Sequence, residues 1–487
     1  MTDYQFDERR NFAKANYIPL KEISEKDESN VTSSFDERRY SVNEALKEIG
    51  LGLYHLKWIP VIAMSGFTQS SMIALASLLV IALQCQWKLN IPVQVLLLFV
   101  LFFGSFPGSV LSGVLADKKG RKVSLILGQL LLLTFTVLST ISFNYVFFFT
   151  AYFFIGLAIG MLLHLSVVLL SEFSPPNFRT YSVLLFLLFW VLGSLFSSVV
   201  TYWLINRHGW EIVTFVVAIP HIVISIFVLL VDESPKYLAI SGQIAAAEQV
   251  LNRMSSQNNP DFEIIGKLEM RVENNRGSLG DVVGEEYRKN FGLLSVSLGL
   301  VGIIVYSSNT MIPYMSESNH CSHFNTTIYQ VEKCEVSAPI FKDLSYINVA
   351  EIVMLPIFAV VNEVFGRLKT LRLLSVILVV STFFLVFCLE RTLFMICLYV
   401  QRGSVQSLLL LLLIYTPECY PTHIRGAGCG LTTMFLFFGG LVSSAMVYPV
   451  GVLHGFSHLA LALTLAAVGT LVTVGLMDKE TRGCDIF

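Results

Sequence analysis

Long apolar blocks, recurring along the whole chain, restrict what this sequence can become more than any other feature. A hydrocarbon core ~30 Å thick takes ~20 apolar helical residues to cross. Twelve blocks of about that length are legible, at 58–82, 93–115, 123–143, 145–170, 181–205, 211–231, 291–314, 344–365, 370–389, 392–416, 426–449 and 456–477. We number them span 1 to span 12. Of the 487 residues, 54% are hydrophobic and only 14% charged, and the mean hydropathy is +0.67. A soluble domain of this length would be far more polar. The expected fold class is an all-α membrane protein.

Basic residues set the orientation, because loops rich in lysine and arginine stay in the cytoplasm. With both termini inside, the outer loops hold only Lys88, Arg207, Lys333, Lys342 and Arg391. Arg402 falls within span 10, and the rest of the 33 lysines and arginines lie on the inner face. The first 50 residues are polar with both signs of charge, so span 1 is expected to act as the insertion signal. The outer loop between spans 7 and 8 carries Cys321, Cys334 and the sequon Asn325-Thr326-Thr327. An oxidising exterior would permit a disulfide there and a glycan on Asn325. The formal charge of −2, with no basic stripe, gives no reason to expect a nucleic-acid partner. No nucleophile–base or metal-ligand spacing appears, so neither enzyme chemistry, metal nor cofactor is expected.

The expected division is a cytoplasmic tail (1–56), a six-helix bundle (57–231), a polar linker (232–290), a second six-helix bundle (291–477) and a short cytoplasmic tail (478–487). In the linker, "QIAAAEQVLNRM" places Ala247, Val250, Leu251 and Met254 on one helical face. "FDERR" occurs at both 6–10 and 35–39, and we have no physical account of that repeat.

The two bundles repeat one another. "GVLADKKGRK" after span 2 matches "AVVNEVFGRLK" after span 8, which aligns Asp117 and Arg121 with Glu363 and Arg367. "SEFSPPNFRT" after span 4 matches "PECYPTHIRG" after span 10, which aligns Glu172 and Arg179 with Glu418 and Arg425. "DESPKYLAISG" closes the first half and "DKETRG" the second. Two repeated halves with a solute site between them describe a secondary transporter. The acid–arginine pairs are expected to form a cytoplasmic gate network that latches the halves, since arginine forks onto carboxylates and helix-end carbonyls. Glycine permits the tight turn in each Gly-Arg loop.

"GVLADKKGRK" resembles the signature of the major facilitator superfamily. "SEFSPPNFR", "DESPKYLAISG" and "YTPECYPTHIRGAGCG" resemble the branch holding the synaptic vesicle protein two-related transporters and the organic cation/anion transporters, closer to the former. "GLGLYHLKW" and "CQWKL" resemble the same branch around span 1. The likeness covers roughly 45–485. It implies twelve helices in two pseudo-symmetric bundles and alternating access, with spans 1, 4, 7 and 10 lining the central path. It departs from the family pattern in span 1, where Gln69 and Met72 replace acids, in span 4, where Tyr152 replaces an arginine, and at Ala359, where a glycine is usual.

Substrate-cavity candidates are Gln69, Tyr152, His164, Trp190, Tyr306, Asn309, Glu351, Arg402 and Gln406. Ionisable residues inside membranes are as a rule functional and paired, so Glu351 and Arg402 are expected to pair. Counted from the outer ends of their spans they lie ~10 and ~15 Å deep. An accessible Arg402 would favour an anion or zwitterion, and an accessible Glu351 a cation. The expected partners are the bilayer and a small organic solute, with or without a coupling ion, and the protein is expected to be a monomer in a plasma or vesicle membrane. The alternative is a transporter-like protein that works in binding or trafficking.

Overall fold

In a computed structural model the protein is described at residues 39–89, 91–258, 267–268, 279–315, 338–387, 389–452 and 455–481. Cys321, Cys334 and Asn325 lie outside the described residues, as do the first FDERR and most of the second.

Among the described residues, ten helices are long and apolar enough to cross a membrane. One of them, Pro176–Leu229, holds both span 5 and span 6. Gly209 breaks it at φ 80°, ψ 174°, a left-handed angle that glycine adopts without a side-chain clash. Helix Arg367–Phe384 is span 9, whose basic first turns make it the least apolar of the set. Twelve spans result. Span 1 begins earlier than its apolar block suggests, at Leu53, and is jointed at Met64, four residues after Pro60. Span 8 begins at Ala338 rather than 344, because its polar outer turns join the same helix.

Spans 2 and 4 pack against one another in the first half, and spans 9 and 10 in the second. The halves meet along spans 2 and 11 and along spans 5 and 8. The span 2–span 11 seam depends on small residues: a Cβ on Gly113 would strike the Gly426 carbonyl oxygen, and one on Gly430 would lie 2.5 Å from the Ser109 carbonyl oxygen. Small residues let membrane helices approach to backbone contact, where dispersion replaces the missing hydrophobic drive.

The face that carries the linker has additional structure. Helix Val42–Ile49 starts in a capping box between Ser41 and Glu44. Strand Arg39–Tyr40 pairs in parallel with Lys267–Leu268 of the linker. Linker helix Ile244–Asn258 buries Ala247, Val250, Leu251 and Met254, the face expected from its periodicity. Asn258 fastens this layer to span 1: its Oδ1 accepts from the Tyr54 amide at 3.0 Å, and its Nδ2 reaches the Gly50 carbonyl at 3.0 Å and His55 Nδ1 at 2.9 Å. Residues 39–50 of the expected tail are therefore folded against the linker and the start of span 1.

Candidate functional site

Two clusters stand out: a charge network at the linker-side ends of the spans, and an ion pair near the middle of its helices.

The network is built from equivalent parts of each half. Gly120 (φ 108°) and Gly366 (φ 90°) open spans 3 and 9 in left-handed conformations. Beside each glycine sits a glutamate from the end of the same half. Glu233 accepts from the Arg121 and Lys122 amides at 3.0 and 3.1 Å. Glu480 accepts from the Arg367 and Leu368 amides at 2.9 and 3.1 Å. A carboxylate at a helix N-terminus satisfies orphan N–H groups and the helix dipole together. Burial pushes the Glu233 carboxyl above its ordinary value, against the lowering effect of the Ser234 and Lys122 amides. A Cβ on Gly120 would strike the Glu233 carboxylate, and one on Gly366 would lie 3.1 Å from Glu480 Oε2. Glu233 and Glu480 were absent from the expected gate set; their signal was present in the matching segments "DESPK" and "DKETR".

Arg121 lies 3.3 Å from both Asp117 and Glu172. Its counterpart Arg367 lies 3.0 Å from Glu363 and 3.4 Å from Glu418. Where local spacing aligns Glu172 with Arg179 and Glu418 with Arg425, the two acids also have other partners. Arg425 crosses to the opposite half and donates to Glu172 at 2.9 Å. Glu418 accepts from Thr481 at 2.5 Å and from Arg367. The reason is positional: Arg425 opens span 11, which packs on span 2 of the first half, so an acid of that half comes within its reach. Arg179 is buried at the start of span 5.

Further bonds cross the same seam. Asp117 accepts from the Gly426 and Ala427 amides at 3.0 and 2.7 Å. Arg121 donates to the Thr422 carbonyl at 2.9 Å, and Thr180 donates to Glu363 at 2.5 Å. Arg121, Glu172, Arg425 and Asp117 are almost wholly buried. Above them a cavity with room for about one water molecule lies between His164, Thr416, Cys429 and Thr433. His164 Nε2 is 3.2 Å from Ser112 Oγ. The halves are closed against one another on the linker side.

The mid-membrane cluster centres on Arg402. Its Nε is 2.7 Å from Glu351 Oε1. Its two terminal nitrogens donate to span 7, to the Val305 carbonyl at 2.9 Å and to Asn309 Oδ1 at 2.6 Å. Glu351 is 14 residues from the inner end of its helix and Arg402 is 17 from its own, hence ~21 and ~26 Å deep from that side. Counted from the outer ends, Ala338 and Arg391, the depths become ~20 and ~17 Å, so Glu351 lies deeper than the expected ~10 Å. Tyr306 stacks on Phe102 of the other half with ring centroids 4.3 Å apart, and Ser194 donates to Asn348 across the same seam at 3.4 Å.

The remaining cavity candidates divide into two groups. Gln69 donates to the Ser65 carbonyl, and Trp190, half-buried, accepts from Ser70 through its own carbonyl. Tyr152 packs on Phe148 at 4.6 Å. Yet Gln69 Oε1, the Tyr152 hydroxyl and both amide atoms of Gln406 are buried without a hydrogen-bond partner. Span 6 adds His221, 2.9 Å from Ser71 of span 1, a contact the span pattern did not signal. Among the described residues no cluster of His, Cys, Asp or Glu could hold a metal ion.

Two six-helix halves, a repeated charge network at the linker-side helix ends and polar groups between the halves define a membrane transporter of the major facilitator fold. Residues 58–323 match the family model for the sugar (and other) transporters, and the chain belongs to that family. It is 27% identical to the putative transporter svop-1 of Caenorhabditis elegans, over 92% of this chain and 86% of the relative. It is 25% identical to the synaptic vesicle 2-related protein of Xenopus laevis, over 83% of this chain and 74% of that one. The organic cation/carnitine transporter 7 of Arabidopsis thaliana is also 25% identical, over 92% and 96%. Among solved structures, the proton:xylose symporter XylE bound to 6-bromo-6-deoxy-D-glucose superposes with a TM-score of 0.69 at 16% identity, over 89% of this chain and 98% of that one. An inward-open XylE structure gives 0.62. The protein is a multi-pass membrane transporter of a small organic solute.

Proposed function

We propose that this chain carries an organic ion by alternating access, with the Asp117–Arg121–Glu172–Arg425 network as its cytoplasmic gate and the Arg402–Glu351 level as its solute site. The observation that carries the reading is the closed latch: Arg425 reaches 2.9 Å across the seam to Glu172, while spans 2 and 11 meet through glycines. Rocking must break those bonds to open the cytoplasmic side and remake them to open the other. The solute site is placed at mid-membrane because the buried, unpartnered polar atoms of Gln69 and Gln406 lie at its depth, 16 and 13 residues from the inner ends of their helices, or ~24 and ~20 Å. A protein groups its unmatched buried polar atoms where a ligand or water can meet them.

Both termini are placed in the cytoplasm, on the face that carries the charge network and the linker. The protein works as a monomer in the plasma membrane or a vesicle membrane, the second being where the names of its synaptic vesicle 2-related relatives point. Uptake by proteoliposomes of labelled organic anions, zwitterions and cations, with and without a pH gradient, tests the reading. Saturable uptake of one class, abolished by Arg425→Ala, is expected. A folded protein that takes up none of them would instead favour a role in binding or trafficking.

A further inference from the structure

Glu351 is the only carboxylate in the membrane interior among the described residues; every other acid of the spans sits at a helix end. The elements packed on it are spans 5, 7, 9 and 10. At its depth span 10 offers Arg402, span 5 offers Ser194, span 7 offers Tyr306, Ser308 and Asn309, and span 9 holds its charges only at its cytoplasmic end. Among the described residues Arg402 is therefore its single counter-charge.

The two members of this pair are not equal. A guanidinium in a protein cannot give up its proton, whereas a carboxylate can take one. A buried charge without a partner is not tolerated in hydrocarbon. The pair can therefore part in one way only, by protonation of Glu351, and what then remains is a cation. Its place is fixed, because the terminal nitrogens of Arg402 stay bonded to Val305 and Asn309 of span 7. The edge that opens is Nε, the one now facing Glu351.

From this asymmetry we infer that the protein is a proton-coupled carrier of organic monoanions, in which a substrate carboxylate replaces Glu351 as the counterion of Arg402. This deepens the solute-site reading above and rests on it. In the exchange a proton forms an O–H bond on the Glu351 carboxylate, the Glu351–Arg402 ion pair breaks, and the substrate carboxylate pairs with Arg402 Nε. The site carries zero net charge before and after, so one proton and one anion move together without moving charge. Gln69 Oε1 and both amide atoms of Gln406, which lack hydrogen-bond partners, are placed to meet the rest of the solute. A cationic substrate would need Arg402 to find a second counterion, and among the described residues no other acid is within reach.

The test uses purified full-length protein and three probe pairs: benzoate against benzamide, glucuronate against glucose, and choline with tetraethylammonium. Thermal stabilisation in detergent reads binding, and proteoliposome uptake reads transport. At least one carboxylate should bind and its neutral counterpart should not. Its affinity should weaken by about tenfold per pH unit once Glu351 ionises, the slope of one linked proton. An inward proton gradient should drive its accumulation. Glu351→Gln, fixed in the neutral form, should bind the same carboxylate with an affinity flat in pH and lose proton-driven accumulation. Arg402→Gln should lose binding, and the Glu351→Gln/Arg402→Gln double variant, which strands no charge, checks that this loss is not misfolding. Uptake of a cation or a neutral solute alone would overturn the substrate class while leaving the transporter reading intact. Carboxylate uptake indifferent to pH, in wild type and Glu351→Gln alike, would overturn the coupling alone. A folded protein that neither binds nor moves any of the six would overturn this inference and the solute-site reading together.

Discussion

Arg402 and Glu351 show how much one residue pair can decide. Buried ion pairs lose several kcal/mol per ion to desolvation, and removing one partner strands the other at about 3–5 kcal/mol. The two single removals should differ in kind. Arg402→Gln leaves a carboxylate that escapes its penalty by taking a proton, so the variant should be destabilised at neutral pH and recover as pH falls. Glu351→Gln leaves a guanidinium with no such escape and should be destabilised at every pH. Thermal unfolding of both variants between about pH 5 and 8 checks this, and parallel curves would show that the ion pair does not govern stability. The pairing was readable from sequence because only two acidic or basic side chains other than histidine fall in the interior of the apolar blocks, at similar depths. The depth of Glu351 was not, because the polar outer turns of span 8 from Ala338 onward look like loop when apolarity is the only guide.

At the scale of elements, the repeat explains both what sequence reveals and where it stops. The glycine turns, the arginines that follow them and the acids that precede them are aligned in the two halves, and the structure sets them in equivalent geometry around spans 3 and 9. Because Glu233 and Glu480 cap those spans in the same way, Glu233→Ala and Glu480→Ala should each cost about 1–2 kcal/mol, the range of a lost helix cap, in calorimetric unfolding. A large inequality would mean that one of the two acts elsewhere. The cross-half partner of Arg425 could not be read from sequence. Local spacing pairs it with Glu418, and only the packing of span 11 on span 2 brings Glu172 within reach. The folded layer at 39–50 escaped for a related reason: its partner, the linker helix ending at Asn258, lies some 200 residues away, and no periodicity spans that distance. The glycine seam has its own test. Gly430→Ala removes no charge but sets a methyl against the Ser109 carbonyl, so the halves must separate. It should raise the reactivity of Cys429, which lines the small cavity above the latch, toward maleimide added from the cytoplasmic side.

For the whole molecule, the proposed gating makes the closed linker-side face one state of an equilibrium, whose bias lies in the bonds that cross the seam. Arg425 to Glu172, Arg121 to Thr422, Thr180 to Glu363 and the two amides on Asp117 exist only when the halves are together. The bonds within each half, such as Arg367 to Glu418, can survive opening. Cross-seam variants should therefore shift the population, while variants of in-half bonds should mainly lower stability. Arg425→Ala removes a charge-assisted bond, of order 1.5–3 kcal/mol. At 1.4 kcal/mol per factor of ten, that moves the equilibrium toward the cytoplasm-open state by about tenfold to a hundredfold. Asp117→Asn weakens two more bonds and should move it in the same direction. The readout is alkylation of Cys429, about 2% exposed in the closed form, followed by mass spectrometry of its peptide in inside-out vesicles. Labelling should accelerate by about the same factor as the population shift, and uptake should fall because the opposite side opens only after this one has closed. Fast transport with Cys429 still protected in both variants would mean that the network staples the fold and does not gate it.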